Sequence, residues 1–185
     1  MKKQVTVSYL EMNHPSEFQA SCKEVPEFSL TQAKIPCPEL NRFLYTAVGG
    51  EWNWVDRLPW TYERWQQCLG RSGYETWVAT MSGTPAGYFE LEPMDEGQAK
   101  IVYFGLLPQF IGLGIGGLLL SGAIERAWQI AGRRVRLNTC TEDHPSALAF
   151  YQRFGFKIYD QKTSDVVLPD EKPEPWPGAK SRNGK

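Results

Sequence analysis

The chain of 185 residues has an ordinary hydrophobic content of 42% and a formal net charge of −1. That length allows one domain with its own core, and the charge argues against a broad basic surface for nucleic acid or anionic membranes. No apolar run approaches the roughly 18 residues of a membrane-spanning helix. From the charge and the lack of a spanning run, we expect a protein that binds neither nucleic acid nor membrane. Because residues 1–6 lack the apolar segment of a signal peptide, we expect it to be cytoplasmic.

The cysteine pattern points to the same compartment. The four cysteines form no C-x-x-C pair and no zinc-binding spacing; they are Cys22, Cys37, Cys68 and Cys140. Thiols stay reduced in the cytoplasm, so we expect free cysteines and no metal site.

The first half of the chain alternates between strand and helix patterns. Residues 5–9 alternate apolar and polar side chains, as in a half-buried strand. Four prolines between residues 15 and 38 predict extended segments and turns. Helices are predicted over residues 38–47, ended by Gly49-Gly50, and over residues 62–69, capped by Thr61.

The second half predicts a sheet with one helical crossover. Strands 77–81 and 86–91 flank a turn at residues 82–85, and a third antiparallel strand covers residues 100–107. A helix ended by Gly132 leads to strand 135–140, which should pair in parallel with strand 100–107. Helix 146–154 and strand 156–159 complete a single domain over residues 1–167. The tail, 168–185, carries four prolines and many charges, so we expect it to be disordered.

Four glycines within residues 112–117 precede the crossover helix. Glycines at a helix start let the backbone approach a ligand closely and leave N–H groups that suit phosphate. They match the dinucleotide fingerprint G-x-G-x-x-G, which would favour an oxidoreductase. However, residues 108–111 make the turn too long for that motif, and strand 135–138 does not end in a ribose-binding acid. A turn that only packs the helix against the sheet is a third interpretation.

Two segments carry a resemblance to a known family. Residues 104–116 closely resemble the strand, bulge and diphosphate loop of the GNAT acetyltransferases, whose loop reads Arg/Gln-x-x-Gly-x-Gly/Ala. Ile111 holds the first position of that pattern here, and Gln109, two residues earlier, could substitute in part. Residues 144–156 are similar to the family pattern Asn-x-x-Ala-x-x-x-Tyr-x-x-x-Gly-Phe, with His144 and Tyr151 in the Asn and Tyr positions. Two motifs in the right order favour this family over the dinucleotide interpretation.

The resemblance implies an α/β fold with acetyl-CoA as co-substrate. We expect a mixed, mostly antiparallel sheet of about six or seven strands, with helices on both faces and a splayed central strand pair. A bulge at residues 104–106 should free backbone groups for the pantetheine amides. The implied cofactor-binding residues are Leu106, Leu107, Ile111, Gly112, Leu113, Gly114, Ile115, Gly116, Gly117, Asn138, His144 and Tyr151.

The implied reaction is direct acetyl transfer to a small amine or a peptide amine. Tyr151 matches the family tyrosine whose hydroxyl serves the departing thiolate. For the base, Glu90 ranks first, as a half-buried carboxylate on a strand beside the central one, although alternation along the strand could equally place it in solvent, and His144 ranks second. Glu142 and Asp143 lie on the same loop as His144 and are further candidates, although Asp143 could instead cap the next helix.

The acceptor is expected to meet an aromatic segment with three tryptophans in residues 52–60. Trp54, Asp56 and Trp60 would suit a positively charged amine through cation–π contacts and ion pairing. Packing of a loop is the alternative, and Asp56 could pair with Arg57 instead. A non-catalytic acyl-CoA-binding protein of the same fold also remains open, as does the choice between monomer and homodimer.

Overall fold

Seven strands and four α-helices form the described part of the chain, residues 2–169 and 173–176, in a computed structural model. The strands are β1 (Lys2–Met12), β2 (Phe28–Gln32), β3 (Glu75–Met81), β4 (Thr84–Met94), β5 (Gln98–Leu106), β6 (Arg134–Cys140) and β7 (Lys157–Val167). The helices are α1 (Pro38–Gly49), α2 (Tyr62–Leu69), α3 (Gly116–Ile130) and α4 (Ala147–Arg153). No helix in these residues is long and apolar enough to span a membrane. Most of the predicted tail, residues 170–172 and 177–185, lies outside the described residues.

The strands form one sheet in the order β2-β3-β4-β5-β6-β1-β7. Every neighbouring pair is antiparallel except β5 and β6, which run parallel because α3 carries the chain back between them. This is the predicted mixed, mostly antiparallel sheet, and the predicted parallel crossover is confirmed.

The parallel pair is joined only at its beginning. Residues 98–100 pair with residues 134–136, and no pairing follows. Since β5 continues to Leu106 and β6 to Cys140, the two strands diverge and turn unpaired backbone edges toward each other. The splayed central pair predicted from the family resemblance is therefore confirmed.

Helices cover both faces of the sheet, as predicted. On β4, Tyr88 packs with Leu44 and Val48 of α1, whereas its neighbour Phe89 belongs to the core under α3 and α4. Successive side chains of a strand point to opposite faces, so this single step separates two cores. The α3 side holds the larger one, which includes Leu91, Ala99, Ile101, Leu119, Leu120, Ile124, Val135, Leu137, Phe154 and Phe156.

The bulge in β5 lies at Val102, and its predicted position at residues 104–106 is wrong. Glu90 pairs with Tyr103 and Leu91 with Ile101, so Val102 is the extra residue. Residues 104–106 pair regularly with β4. Gly105 does not form the bulge but has a packing role. A Cβ at this position would lie 2.5 Å from the side chain of Val48, so the glycine lets α1 pack closely on β5.

Three other boundaries differ from prediction. β2 is a true strand paired with β3, where only extended structure was expected. β7 runs for eleven residues rather than four, and most of them are exposed because it is an edge strand without an apolar alternation. α3 ends at Ile130 with Ala131 as its C-cap, so Gly132 is not the C-cap.

The connection from β1 to β2 crosses the sheet. β1 lies between β6 and β7, whereas β2 is the edge strand on the opposite side. Residues 13–27 therefore pass over the intervening strands on the α3–α4 side, where Phe18 packs against the larger core. The backbone N–H of Gln19 donates to the carbonyl of Phe154 at 3.2 Å, and that of Ser21 donates to Oγ of Ser121 at 2.9 Å.

Candidate functional site

A cavity of about 1330 Å³ fills the gap between the diverging strands. Its walls are the free edges of β5 and β6, the glycine loop (residues 111–117), residues 19–21 and Lys23 of the β1–β2 connection, α4, and residues 52–56 of the tryptophan segment (residues 52–60). The glycine loop and the tryptophan segment, far apart in sequence, therefore open into one space.

The glycine loop presents backbone to this cavity. Gly112 and Gly114 have φ angles of 89° and 84°, a region that side chains disfavour. α3 then begins at Gly116, and no side chain caps its N-terminus. Since none of the described residues accepts a hydrogen bond from the amides of Gly112, Gly114 or Gly116, the positive end of the helix is open to an anion. All four glycines of the loop line the cavity.

Only part of the predicted cofactor set reaches the cavity. Leu106 and Ile111 line it, but Leu107, Leu113 and Ile115 do not. Ile115 is completely buried under α3, and Leu113 points outward with 58% of its surface exposed. The amide of Ile111 donates to the carbonyl of Pro108 at 3.3 Å, so it is already used within the turn.

Tyr151 and Asn138 line the cavity from α4 and β6. Tyr151 packs edge-on against Phe104 at 5.9 Å between ring centroids, and its hydroxyl makes no hydrogen bond to the described residues. Burial, reinforced by the charge of Asp143, raises the pKa of Tyr151 well above its usual range. The phenol therefore stays protonated and can donate a hydrogen bond.

The loop after β6 is held by its two carboxylates. Asp143 accepts from Oγ1 of Thr139 at 2.6 Å and from the amide of Cys140 at 2.9 Å. It does not cap α4, whose N-cap is Ser146. Glu142 pairs with Nζ of Lys3 at 2.6 Å. Both carboxylates therefore have structural partners.

His144 is an exposed side chain on the cavity wall. Its ring lies edge-on to Trp52 with centroids 5.3 Å apart, beside the tryptophan segment. Nδ1 bonds to Oγ of Ser146 at 2.8 Å and accepts from the Ser146 amide at 3.2 Å, which fixes the ring, and Nε2 has no partner among the described residues. With Nδ1 as the acceptor, the neutral ring carries its proton at Nε2. His144 therefore joins Tyr151 as a side chain of the predicted catalytic set that could exchange a proton with the cavity.

Glu90 does not line the cavity, and the structure does not support it as the base. Its carboxylate is completely buried, not half-buried as expected. It accepts from Nη1 of Arg57 at 2.6 Å, from Nδ2 of Asn41 at 2.7 Å and from the hydroxyl of Tyr74. With both oxygens occupied inside a buried ion pair, this carboxylate holds the tryptophan segment and α1 against β4.

One part of the tryptophan segment faces the cavity, as expected of an acceptor pocket, and another part only packs the loop. Trp54 and Asp56 line the cavity, and the Trp54 ring lies 4.9 Å from that of Tyr103. Trp60 does not line it. Its ring packs against Trp65 at 5.1 Å, and the guanidinium of Arg57 lies 4.6 Å above it, so its cation is supplied by the protein itself. Arg57 pairs with Glu90 rather than with Asp56.

This division predicts different outcomes for the two tryptophans. For the acetyl transfer that the family resemblance implies, replacing Trp54 by alanine should raise the acceptor KM by about three- to tenfold, because the expected cation–π contact would be lost, with a smaller change in the acetyl-CoA KM. The matched variant Trp60→Ala should lower the melting temperature and leave both KM values nearly unchanged. Steady-state kinetics with each substrate varied would check this. Equal effects on both KM values in Trp54→Ala would assign Trp54 to packing alone.

Three residues of the cavity wall were not among the site residues predicted from the sequence. Lys23 and Ser21 come from the β1–β2 connection, and no motif marks them. Tyr103 lies within the apolar run of β5, where only its place on the strand, opposite Glu90, turns it toward the tryptophan segment. Within the described residues, His, Cys, Asp and Glu form no group of three that could hold a metal ion.

Comparison with known proteins gives one family match. The model described as "Acetyltransferase (GNAT) family" matches residues 39–156. A GCN5-related N-acetyltransferase from Sphaerobacter thermophilus superposes with a TM-score of 0.67 at 15% identity, over 92% of this chain and 54% of that chain. One from Kribbella flavida gives 0.62 at 16% identity, over 91% and 60%.

A GNAT family acetyltransferase from Elizabethkingia anophelis, solved with acetyl-CoA bound, gives a TM-score of 0.53 at 23% identity, over 74% of this chain and 80% of that chain. The present chain spans a little over half the length of the first two structures. At these identities the likeness shows a shared fold. No curated protein matches the chain.

Proposed function

The chain belongs to the GNAT acetyltransferase family, and from that premise we propose that it transfers the acetyl group of acetyl-CoA directly to a small amine or a peptide amine. The observation that carries the proposal is the single cavity between β5 and β6, with the glycine loop in one wall and the tryptophan segment in another. A cavity of this kind admits two substrates to one reaction centre.

The residues of the glycine loop fit the co-substrate. The left-handed Gly112 and Gly114 and the uncapped start of α3 suit a diphosphate, because a side chain would occupy the space that the backbone amides serve. The unpaired edge of β5 near Leu106 can bond amide groups as a neighbouring strand would. When bound, acetyl-CoA supplies an activated acetyl group as a thioester.

Two side chains are placed to handle protons. The Tyr151 hydroxyl, which is protonated and bonds to none of the described residues, donates to the departing thiolate sulfur. His144 is the candidate to accept the proton of the attacking amine, because histidine is the side chain best suited to accept a proton near neutral pH. For Nε2 to take that proton, Nδ1 must carry the ring hydrogen and donate it to Oγ of Ser146 instead of accepting from the Ser146 amide. Glu90 plays no part in this step, since its carboxylate already accepts hydrogen bonds from Arg57 and Tyr74.

The tryptophan segment supports a positively charged acceptor. Trp54 lies between Tyr45 and Tyr103, and the exposed carboxylate of Asp56 stands on the same wall. Aromatic faces and a carboxylate attract an ammonium group before it is deprotonated. The acceptor is therefore proposed to be a cationic amine.

Removing one oxygen from Tyr151 tests its role. Tyr151→Phe keeps the ring, and its hydroxyl bonds to no described residue, so the melting temperature and acetyl-CoA affinity should hardly change. Both kcat and kcat/KM should fall by about tenfold to a hundredfold, the low end for a general acid, since a thiolate leaves readily. Tyr159→Phe, on the exposed strand β7, is the control. Wild-type turnover in Tyr151→Phe, with chemistry rate-limiting, would make Tyr151 a packing residue.

The proposed activity is tested in two steps. Acetyl-CoA should raise the melting temperature by mass action, whereas NAD and NADP should not. Thiol release from acetyl-CoA should then depend on an added amine, screened across small amines and peptides. A shift with NAD alone would favour the dinucleotide interpretation. A shift with acetyl-CoA but no thiol release with any amine would leave an acyl-CoA-binding protein.

A further inference from the structure

The glycine loop lacks a charge of its own. Residues 108–117 contain no lysine or arginine. Ile111 occupies the position where the resembled pattern has Arg or Gln, and Gln109 is exposed and does not line the cavity. Helix N–H groups carry only about half a positive charge. An anion as highly charged as a diphosphate would therefore be incompletely neutralised by the loop alone.

A lysine from a distant part of the chain stands at this loop. Nζ of Lys23 lies 3.0 Å from the position that a Cβ on Gly114 would occupy. Lys23 lines the cavity and forms no ion pair with the described residues. The ammonium group therefore lies at the glycine whose backbone faces the cavity, and no carboxylate among the described residues pairs with it.

The sheet order explains why Lys23 is there. Because β1 and β2 lie far apart in the sheet, the connection between them must cross α3 and α4. It is fixed at two points just before Lys23, by the backbone bonds of Gln19 to Phe154 and of Ser21 to Ser121. Oγ of Ser21 lies 3.2 Å from the position of a Cβ on Gly117. The crossing segment therefore runs along the glycine loop itself.

We infer that Lys23 binds the diphosphate of the co-substrate at Gly114, in place of the side chain that the loop lacks at Ile111. This assignment rests on the proposed function. An ammonium group paired with phosphate forms a charge-assisted hydrogen bond, and the nearby amides of the loop hold the remaining oxygens. Lys23 is a binding residue that the β1–β2 connection of the same chain brings to the loop.

The test measures binding rather than turnover. Dissociation constants for CoA, 3′-dephospho-CoA and pantetheine are measured by calorimetry on wild type, Lys23→Gln, Lys23→Arg and Lys34→Gln. Lys34 is exposed and does not line the cavity, so Lys34→Gln removes the same charge away from the site. Because Lys23 is exposed, its variants should melt as the wild type does.

Lys23→Gln should weaken CoA and 3′-dephospho-CoA equally, by about tenfold at low salt, and leave pantetheine unchanged. The dissociation constant of Lys23→Arg for CoA should lie within about threefold of the wild-type value. The loss of CoA affinity in Lys23→Gln should become smaller at high ionic strength, because salt screens the interaction between charges. Equal affinities for Lys23→Gln and Lys34→Gln would overturn the assignment. So would a loss for CoA alone, which would place Lys23 at the 3′-phosphate. If the wild type bound neither phosphorylated ligand, the proposed function would fall and the assignment with it.

Discussion

Replacing Glu90 by alanine is expected to lower the free energy of unfolding by about 3–5 kcal/mol, the usual loss when one partner of a buried ion pair is removed. Burial alone would lower the pKa of Arg57, but Glu90 together with Tyr74 and Tyr103 outweighs burial, so the pKa lies above its usual range. Without Glu90 the guanidinium remains charged and buried among Trp60, Trp65 and Tyr103. Chemical denaturation of the purified variant measures this loss.

The same strand offers a control. Glu92, two residues after Glu90, pairs with Arg71, and both side chains of that pair are partly exposed. Glu92→Ala should therefore cost at most about 1 kcal/mol. Turnover of Glu90→Ala, measured well below its melting temperature, should stay within a few-fold of wild type. Full stability combined with lost turnover would instead make Glu90 the catalytic base.

Gly114→Asp is expected to weaken CoA binding by more than a hundredfold. The new carboxylate would stand beside Nζ of Lys23 and occupy the place of the diphosphate with a negative charge of its own. A second effect comes from the backbone, because the φ angle of 84° costs about 1 kcal/mol with a side chain present. Calorimetric titration with CoA measures the change in affinity.

Gly83→Asp separates these two effects. Gly83 lies in the β3–β4 turn with a φ angle of 79°, and a Cβ there would meet nothing within 4 Å. It should lose similar stability while binding CoA as the wild type does. Normal binding in a folded Gly114→Asp protein would move the anion site away from the glycine loop.

Local patterns carried most of the prediction. The glycine loop and the segment around Tyr151 each lie within about a dozen consecutive residues, so their spacing alone indicated a strand, a loop and two helices. Parallel pairing of β5 with β6 followed from the single helix between them. Only the beginning of strand β7 was predicted, because the rest of this exposed edge strand has no apolar alternation.

Contacts between distant segments could not be read in this way. Alternation along β4 allowed Glu90 two faces, but only the folded chain shows that Arg57 covers the face it takes. Trp60 and Trp54 belong to the same tryptophan-rich segment and look alike in sequence, yet the guanidinium of Arg57 covers the Trp60 ring in the folded chain. Lys23 meets Gly114 only because of the strand order, and one sequence does not specify strand order beyond adjacent elements.

The interior position of β1 also decides when the molecule can fold. Val7 pairs on one side with Cys140 and on the other with Lys162, so β1, which is synthesised before the other six strands of the sheet, waits for partners that emerge far later. Closing such long loops is slow, because their entropy is lost before any contact repays it. Until residues 157–167 are synthesised, β1 is covered on at most one side. Between the synthesis of β1 and that of β7, the growing chain therefore presents an open strand edge to other nascent chains.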